Sequence, residues 1–242
     1  LQVNGALKHA AINGYSYASI LLNADLQDRF LHAEGTVDDP NAALGFTGDI
    51  DWNKSIPTYS LSSSIEQLNL KALHILEKDS ISIKNTRFSS SLAGTTLNSM
   101  NGEVKANSLS LHSSRGDFKI DSILFITSGN EKDRQLDLQS NVVDGHMKGN
   151  IDLNTVGEYF KSLAMRYAPA IAINTKPYNS QNFDLRLNIK SFEPISALFN
   201  PDLSLEDGAT LQAYFSSDSY LAQFDAFSPS VVYKGMRLTN LS

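Results

Sequence analysis

Apolar and polar residues alternate with a period of two along most of the chain. Phe183-Asp184-Leu185-Arg186-Leu187-Asn188-Ile189-Lys190 does so without a fault. Ile81-Ser82-Ile83-Lys84, Leu109-Ser110-Leu111-His112, Leu136-Asp137-Leu138-Gln139 and Ile151-Asp152-Leu153-Asn154 repeat the pattern. Successive side chains of a strand leave opposite faces, so each segment has one apolar and one polar face. That is half-buried antiparallel sheet, not parallel strands buried on both sides. Asn13-Gly14, Asp39-Pro40-Asn41, Gly48, Gly94, Asn101-Gly102, Arg115-Gly116, Ser128-Gly129-Asn130, Asp144-Gly145 and Gly149 supply turn signals at the spacing of a meander. The pattern predicts strands near 2–9, 15–26, 29–38, 42–52, 57–66, 80–90, 101–112, 116–127, 134–142 and 145–153, then near 182–190, 209–216, 219–227 and 230–241.

One segment breaks the period. From Thr155 to Ala168 the apolar residues are Val156, Phe160, Leu163 and Tyr167, the stripe of an amphipathic helix over 155–168. Thr155 and Glu158 have the spacing of a capping box, and Pro169 stops the helix. A shorter helical turn is expected at Pro194–Phe199 and another at Leu68–Leu76.

Composition narrows the function more than the fold. The net charge is −6, which excludes a nucleic-acid binder that must neutralise phosphates. Twelve Phe and nine Tyr supply enough apolar surface for a folded chain. No apolar run has the length of a membrane-spanning helix. Cysteine is absent, which removes disulfides, thiolate metal sites and cysteine nucleophiles and fits an oxidising compartment. The 242 residues start at Leu1 without an initiator Met or a signal peptide, so the chain reads as a single fragment, 1–242, of something longer.

Candidate chemistry is sparse. His9, His32, His74, His112 and His146 are scattered, without a spacing that suits a metal. No nucleophile elbow, phosphate loop or dinucleotide fingerprint occurs. Asp49 and Asp51 share one strand face, a geometry a glycosidase pair or a cation could use, though a single such pair in an acidic strand reads as a solvated face. Asp38-Asp39-Pro40-Asn41 lacks the glycine and closing Glu of a calcium loop and reads as a turn. Trp52, Tyr15 and Tyr17 have the chemistry of a sugar platform, though strand aromatics more often pack across strands. No catalytic residue, metal site or cofactor is expected.

The order of these pieces resembles a known family. Gly14-Tyr15-Ser16-Tyr17-Ala18-Ser19-Ile20, Phe30-Leu31-His32-Ala33-Glu34-Gly35-Thr36-Val37-Asp38-Asp39-Pro40-Asn41 and Leu44-Gly45-Phe46-Thr47-Gly48-Asp49-Ile50-Asp51 form one block. Leu92 to Val104 with Gly116 to Ile123 forms a second. Gly149 to Leu153, the helix to Tyr167 and Pro169 form a third, and Leu198 to Leu205 with Gly208 to Leu211 a fourth. Together they are similar to the C-terminal domain of TamB, the translocation and assembly module family, in its Bacteroidota form, within the AsmA-like group of bridge-like lipid-transfer proteins. The likeness spans nearly the whole chain and rests on order and spacing, since each block alone is a degenerate β pattern.

The resemblance implies an all-β fold with one amphipathic helix, an elongated and curved antiparallel sheet of the β-taco or open-gutter kind. It implies a non-enzymatic role in a Gram-negative envelope: the periplasmic part of an inner-membrane-anchored protein, with a hydrophobic groove for phospholipid transport between inner and outer membranes. Its partners would be phospholipid acyl chains and a TamA- or BamA-like outer-membrane barrel, with membrane contact through parts outside these residues. Within that frame the groove candidates are Ile81, Ile83, Leu109, Leu111, Phe118, Ile120, Leu136, Leu138, Ile151, Leu153, Phe183, Leu185, Leu187 and Ile189. The other reading of those residues is a closed core. The helix at 155–168 would plug, gate or cap the groove. Two alternatives stand beside the conduit: a scaffold for outer-membrane protein assembly that adds a client strand at its edge, and, more remotely, a carbohydrate-binding or glycosidase-like β protein.

Overall fold

The structure, a computed structural model, describes residues 1–76, 81–113, 116–167, 174–199 and 202–241, with the side chains of 167, 197–199, 240 and 241 outside the description. Its body is one antiparallel sheet of 15 strands. Strands β1 (Gln2–Ile12), β2 (Tyr15–Gln27), β3 (Phe30–Asp39), β4 (Ala42–Asp51), β5 (Thr58–Asn69) and β6 (Ser82–Ala93) lie side by side in chain order. They continue through β7 (Asn101–Ser113), β8 (Gly116–Gly129), β9 (Arg134–Ser140), β10 (Val143–Asn150) and β11 (Asn182–Ile189). Beyond β12 (Leu203–Leu205), strands β13 (Ala209–Ser216) and β14 (Leu221–Tyr233) complete the row, and β12 and β15 (Met236–Leu241) both pair with the far half of β14. Helix α1 (Val156–Tyr167) falls between β10 and β11, and α2 (Glu193–Phe199) between β11 and β12. Among the described residues β1 pairs only with β2, so the sheet curves without closing into a barrel.

Local turn chemistry explains the meander. Asn13–Gly14 and Lys234–Gly235 put two successive residues at positive φ (50° and 77°, 47° and 82°). That is the two-residue turn whose twist matches the flanking strands. Asp28–Arg29 makes the same turn without glycine (44° and 63°).

Directly paired residues share a face. The register carries one row from β2 to β13 through Leu26, Leu31, Ile50, Tyr59, Leu92, Gly102, Thr127, Leu136, Met147, Leu185 and Ala213. The adjacent row, on the opposite face, reads Asp25, His32, Asp49, Ser60, Ser91, Glu103, Ile126, Asp137, His146, Arg186 and Gln212. One face is therefore apolar and the other polar across almost the whole sheet.

Midway along the strands the alternation slips. Glu66 stands unpaired where Leu44 faces Ile65 and Ala43 faces Gln67. Asn85 in β6 and Ser108 in β7 adopt positive φ (51° and 58°) inside their strands. Apolar positions then jump by three residues, from Ile65 to Leu68, Ala106 to Leu109 and Ile120 to Ile123. Leu109, Ile120 and Ile123 nevertheless pack in one cluster, so both sides of the slip stay on one face. An extra or left-handed residue re-aims the side chains that follow it, as a bulge does.

Several sequence expectations are corrected. The strand expected near 145–153 ends at Asn150, because Asp152 turns the chain and accepts from Thr155 N (3.1 Å) and Val156 N (2.8 Å) to start α1. No helix forms over Leu68–Leu76: β5 continues to Asn69, and a turn follows that buries Leu73. The strand expected near 219–227 runs on to Tyr233, and the one near 230–241 is divided by the Lys234–Gly235 turn. The capping box is replaced: Thr155 Oγ1 accepts from Asn179 N (3.2 Å), while Glu158 accepts from Lys161 Nζ (2.8 Å) and Lys176 N (2.9 Å).

Two cores sit on the apolar face. Leu136, Ile151, Tyr159, Phe183, Ala213 and Phe215 form one, with Val156, Phe160 and Leu163 of α1 packed against it. Ile81, Leu109, Leu111, Ile120 and Val142 form the other, against Ile195 of α2. The chain still exposes 14444 Å², where a compact protein of this mass exposes about 10,700 Å².

The register at β10 and β11 can be tested at Gly149. Its φ is +141° and an added Cβ would lie 2.3 Å from the Asn182 carbonyl oxygen. Gly149→Ala should cost about 2 kcal/mol or more in urea unfolding. Gly5→Ala, with nothing within 4 Å of its added Cβ, should change stability by less than about 0.5 kcal/mol. Equal effects would contradict this pairing.

Candidate functional site

The expected groove residues occupy the apolar face but not in the way alternation alone suggests. Ile83, Leu109, Leu111, Phe118, Ile120, Leu136, Leu138, Phe183, Leu185, Leu187 and Ile189 are strand residues. Ile81 precedes β6, and Ile151 and Leu153 lie in the turn that launches α1. Ile81, Leu109, Leu111, Ile120, Leu136, Ile151 and Phe183 are buried, each within one of the two cores. Ile83, Phe118, Leu153 and Leu185 pack against those cores, and Leu138, Leu187 and Ile189 are half-buried. The buried and packed positions among them mark the part of the apolar face that helices cover.

Aromatic packing holds α1 down. Tyr159 lies edge-on to Phe183 (6.1 Å between ring centres) and Phe215 (6.3 Å), and Phe160 edge-on to Phe215 (5.3 Å). Such pairs favour edge-to-face geometry beyond the area they bury. A polar seam closes the end of the helix. Asn98 donates to Asp152 (3.0 Å) and accepts from Leu153 N (2.8 Å), and Asn179 also donates to Asp152. Desolvation raises the Asp152 pKa, but these donors outweigh it and leave the carboxyl below its usual range. Arg134, fully buried, donates to the carbonyls of Met100 (2.7 Å) and Asn98 and to Thr127 Oγ1 (2.6 Å).

Apart from Ile83 at the start of β6, the apolar face of β1 to β6 carries neither helix. Leu26, Leu31, Ile50 and Tyr59 form one of its rows, and Leu22, Phe46, Phe88, Leu44 and Ile65 lie beside it. Val3 (47%), Leu7 (49%) and Leu61 (37%) are exposed there, against 1% for Phe183 beneath α1. Sequence reasoning missed this stretch because small residues dilute its alternation. Gly35 is one: an added Cβ would lie 2.9 Å from the Phe46 ring, so the ring lies over bare backbone. Ile20, Leu22, Ala24 and Leu26 in β2 were the available signal.

The polar face is built from cross-strand pairs. His32 Nδ1 meets Asp49 at 2.6 Å, His112 meets Asp117 at 2.6 Å and His146 meets Asp137 at 2.7 Å. Ser60 also donates to Asp49 (3.0 Å), and Asp51 accepts from Asn53 N (2.8 Å) and lies 3.8 Å from Lys54. The Asp49–Asp51 pair is thus engaged on an exposed surface, not set across a cleft. Asp39 caps its own turn by accepting from Asn41 N (2.8 Å) and Tyr15 Oη (2.6 Å). Tyr15 and Tyr17, two residues apart on β2, pack edge-on to each other at 4.9 Å and do not form a flat platform.

Among the described residues no group of three His, Asp or Glu is placed to hold a metal, and no helix is long and apolar enough to cross a membrane. No known family, characterised protein or solved structure matches the chain.

Asp49 raises the His32 pKa by accepting a hydrogen bond from the protonated ring. The sign follows directly. A raised folded value gives stability that is complete below the unfolded histidine value and is lost as pH rises through the folded one. His32 should therefore titrate by NMR above about 6.5, and Asp49→Asn should return it toward that value. An unchanged midpoint in Asp49→Asn would show that the pair does not form.

Proposed function

We propose that the apolar face is a binding surface for lipid acyl chains, one stretch of a hydrophobic conduit that makes and breaks no bond. The observation that carries this reading is the uncovered apolar face of β1 to β6, continuous in register with the part roofed by α1 and α2. Shielding an acyl chain there is worth about 0.8 kcal/mol per CH₂ removed from water. The rows hold no deep trap: Leu, Ile and Phe alternate with Gly, Ala and Ser, which suits weak contact repeated along a sliding chain. The phospholipid cargo, the passage between inner and outer membranes and the periplasmic setting of an inner-membrane-anchored protein rest on the resemblance to the TamB family.

A second reading draws on the edge of β1. Among the described residues that edge has no strand partner, and nearly all of β1 is exposed. Such an edge suits addition of an extended strand from an outer-membrane client or a TamA-like barrel.

The two halves of the apolar face separate under mutation. Leu31→Asp and Leu61→Asp place a charge where water reaches it, so circular dichroism should show a folded protein. Lipid recovered by mass spectrometry from the purified chain should fall severalfold. Phe183→Asp and Leu185→Asp put the charge in the core under α1 and should cost several kcal/mol, enough to unfold a marginal domain. Wild-type protein without co-purified lipid, or folded Leu31→Asp and Leu61→Asp variants with lipid undiminished, would overturn the conduit.

A further inference from the structure

The polar face holds two adjoining depressions. One of about 800 Å³ lies over β8 to β13, and a second of about 270 Å³ continues from it over β11 to β14, sharing Arg186 and Gln212. The first is lined by Ser122 and Leu124 but not by Ile123 between them, which places it on the polar side.

The chemistry of this surface selects its ligand. Asp137 is engaged by His146 and Asp144 by Lys190 (2.7 Å each), and Arg186 has no carboxylate partner among the described residues. Asp184 and Asp225 add negative charge, so the lining is net acidic and unsuited to phosphate or another anion. Leu124, Leu138, Leu187 and Leu211 also border it, but it is an open depression rather than the enclosed pocket that holds a drug-like ligand. What it offers is unspent hydrogen bonding. The side-chain amides of Gln139, Asn188, Gln212 and Gln223 hold no hydrogen bond among the described residues. Each presents two donors and an acceptor. Tyr214 pairs with Asp184 in register and with Gln223 on its other side, and exposes 38% of its surface on the same face.

We propose that the polar face of β9 to β14 binds a neutral glycan chain. Tyr214 provides the flat ring on which a pyranose stacks. Arg186 and Gln212, directly paired on neighbouring strands about 4.8 Å apart, and the free amides around them pair with successive hydroxyls. Leu138, Leu185 and Leu187 of the groove set also border the depressions, but the residues on which the glycan would be held, Tyr214, Gln212 and Arg186, are not among those assigned to lipid, so the two readings are tested separately.

The test is calorimetric titration with maltohexaose, cellohexaose and chitohexaose, with glycerol phosphate as the anionic arm. At least one hexasaccharide should bind with a Kd of about 1 mM or tighter and shift the amide resonances of β11 and β13. Tyr214→Ala should weaken binding about tenfold, Tyr214→Trp should retain it, and Gln212→Ala should weaken it severalfold. Leu61→Asp, on the other face, should leave it unchanged. Absence of binding by all three at about 10 mM, binding of glycerol phosphate instead, or a folded Tyr214→Ala that binds like wild type would overturn the proposal.

Discussion

The constraint from which the rest follows is an apolar sheet face with no second sheet to cover it. A sandwich solves this by packing two sheets face to face, and a barrel by closing on its own interior. This sheet does neither, and its exposed area exceeds that of a compact protein of equal mass. The face must therefore be roofed locally or left open. Helix α1 roofs it over β9 to β13 through Tyr159 and Phe160, and Ile195 of α2 does so beside β8. Over β1 to β6 it stays open, and the lipid reading rests on that difference.

Roofing a sheet with a helix requires fixing the helix ends, and polar chemistry does this at one rim. Asp152 begins α1 and is held in turn by Asn98 and Asn179. Asn98 belongs to the short turn whose carbonyl also receives the buried Arg134. A guanidinium without a carboxylate beside it is costly to bury. Here two carbonyls and Thr127 accept from its two terminal nitrogens and tie the turn, β8 and β9 together, while its Nε stays without a partner among the described residues. The slip at Glu66, Asn85 and Ser108 solves a related problem, since it bends long strands while keeping Ile120 and Ile123 on one side.

The two faces suit different chemistries. The apolar row from Leu26 to Ala213 carries no carboxylate, histidine, lysine or arginine, so it can bind only by excluding water. The polar one spends its histidines and most of its nearby carboxylates on cross-strand pairs and leaves amides and a tyrosine free between β9 and β14. A single sheet can thus present a greasy surface and a hydrogen-bonding surface back to back, a few ångströms of backbone apart.

Alternation alone determined that Phe183 to Lys190 is a half-buried strand, that Asn13-Gly14 is a hairpin turn and that Val156 to Tyr167 is an amphipathic helix. These are readings of neighbouring residues, and period, turn chemistry and helical spacing are local properties. Only the tertiary structure decided that Ile151 and Leu153 leave the sheet for a turn, that Tyr159 anchors the helix core, and that Leu185 is roofed while Leu31 is not. It also decided that Gly35 belongs to the apolar face, since a glycine carries no pattern until Phe46 is seen to cover it. The reason is common to all of these. A period of two says which side of its own strand a residue faces, whereas what lies over that side comes from segments tens of residues away, brought there by a register the period does not encode.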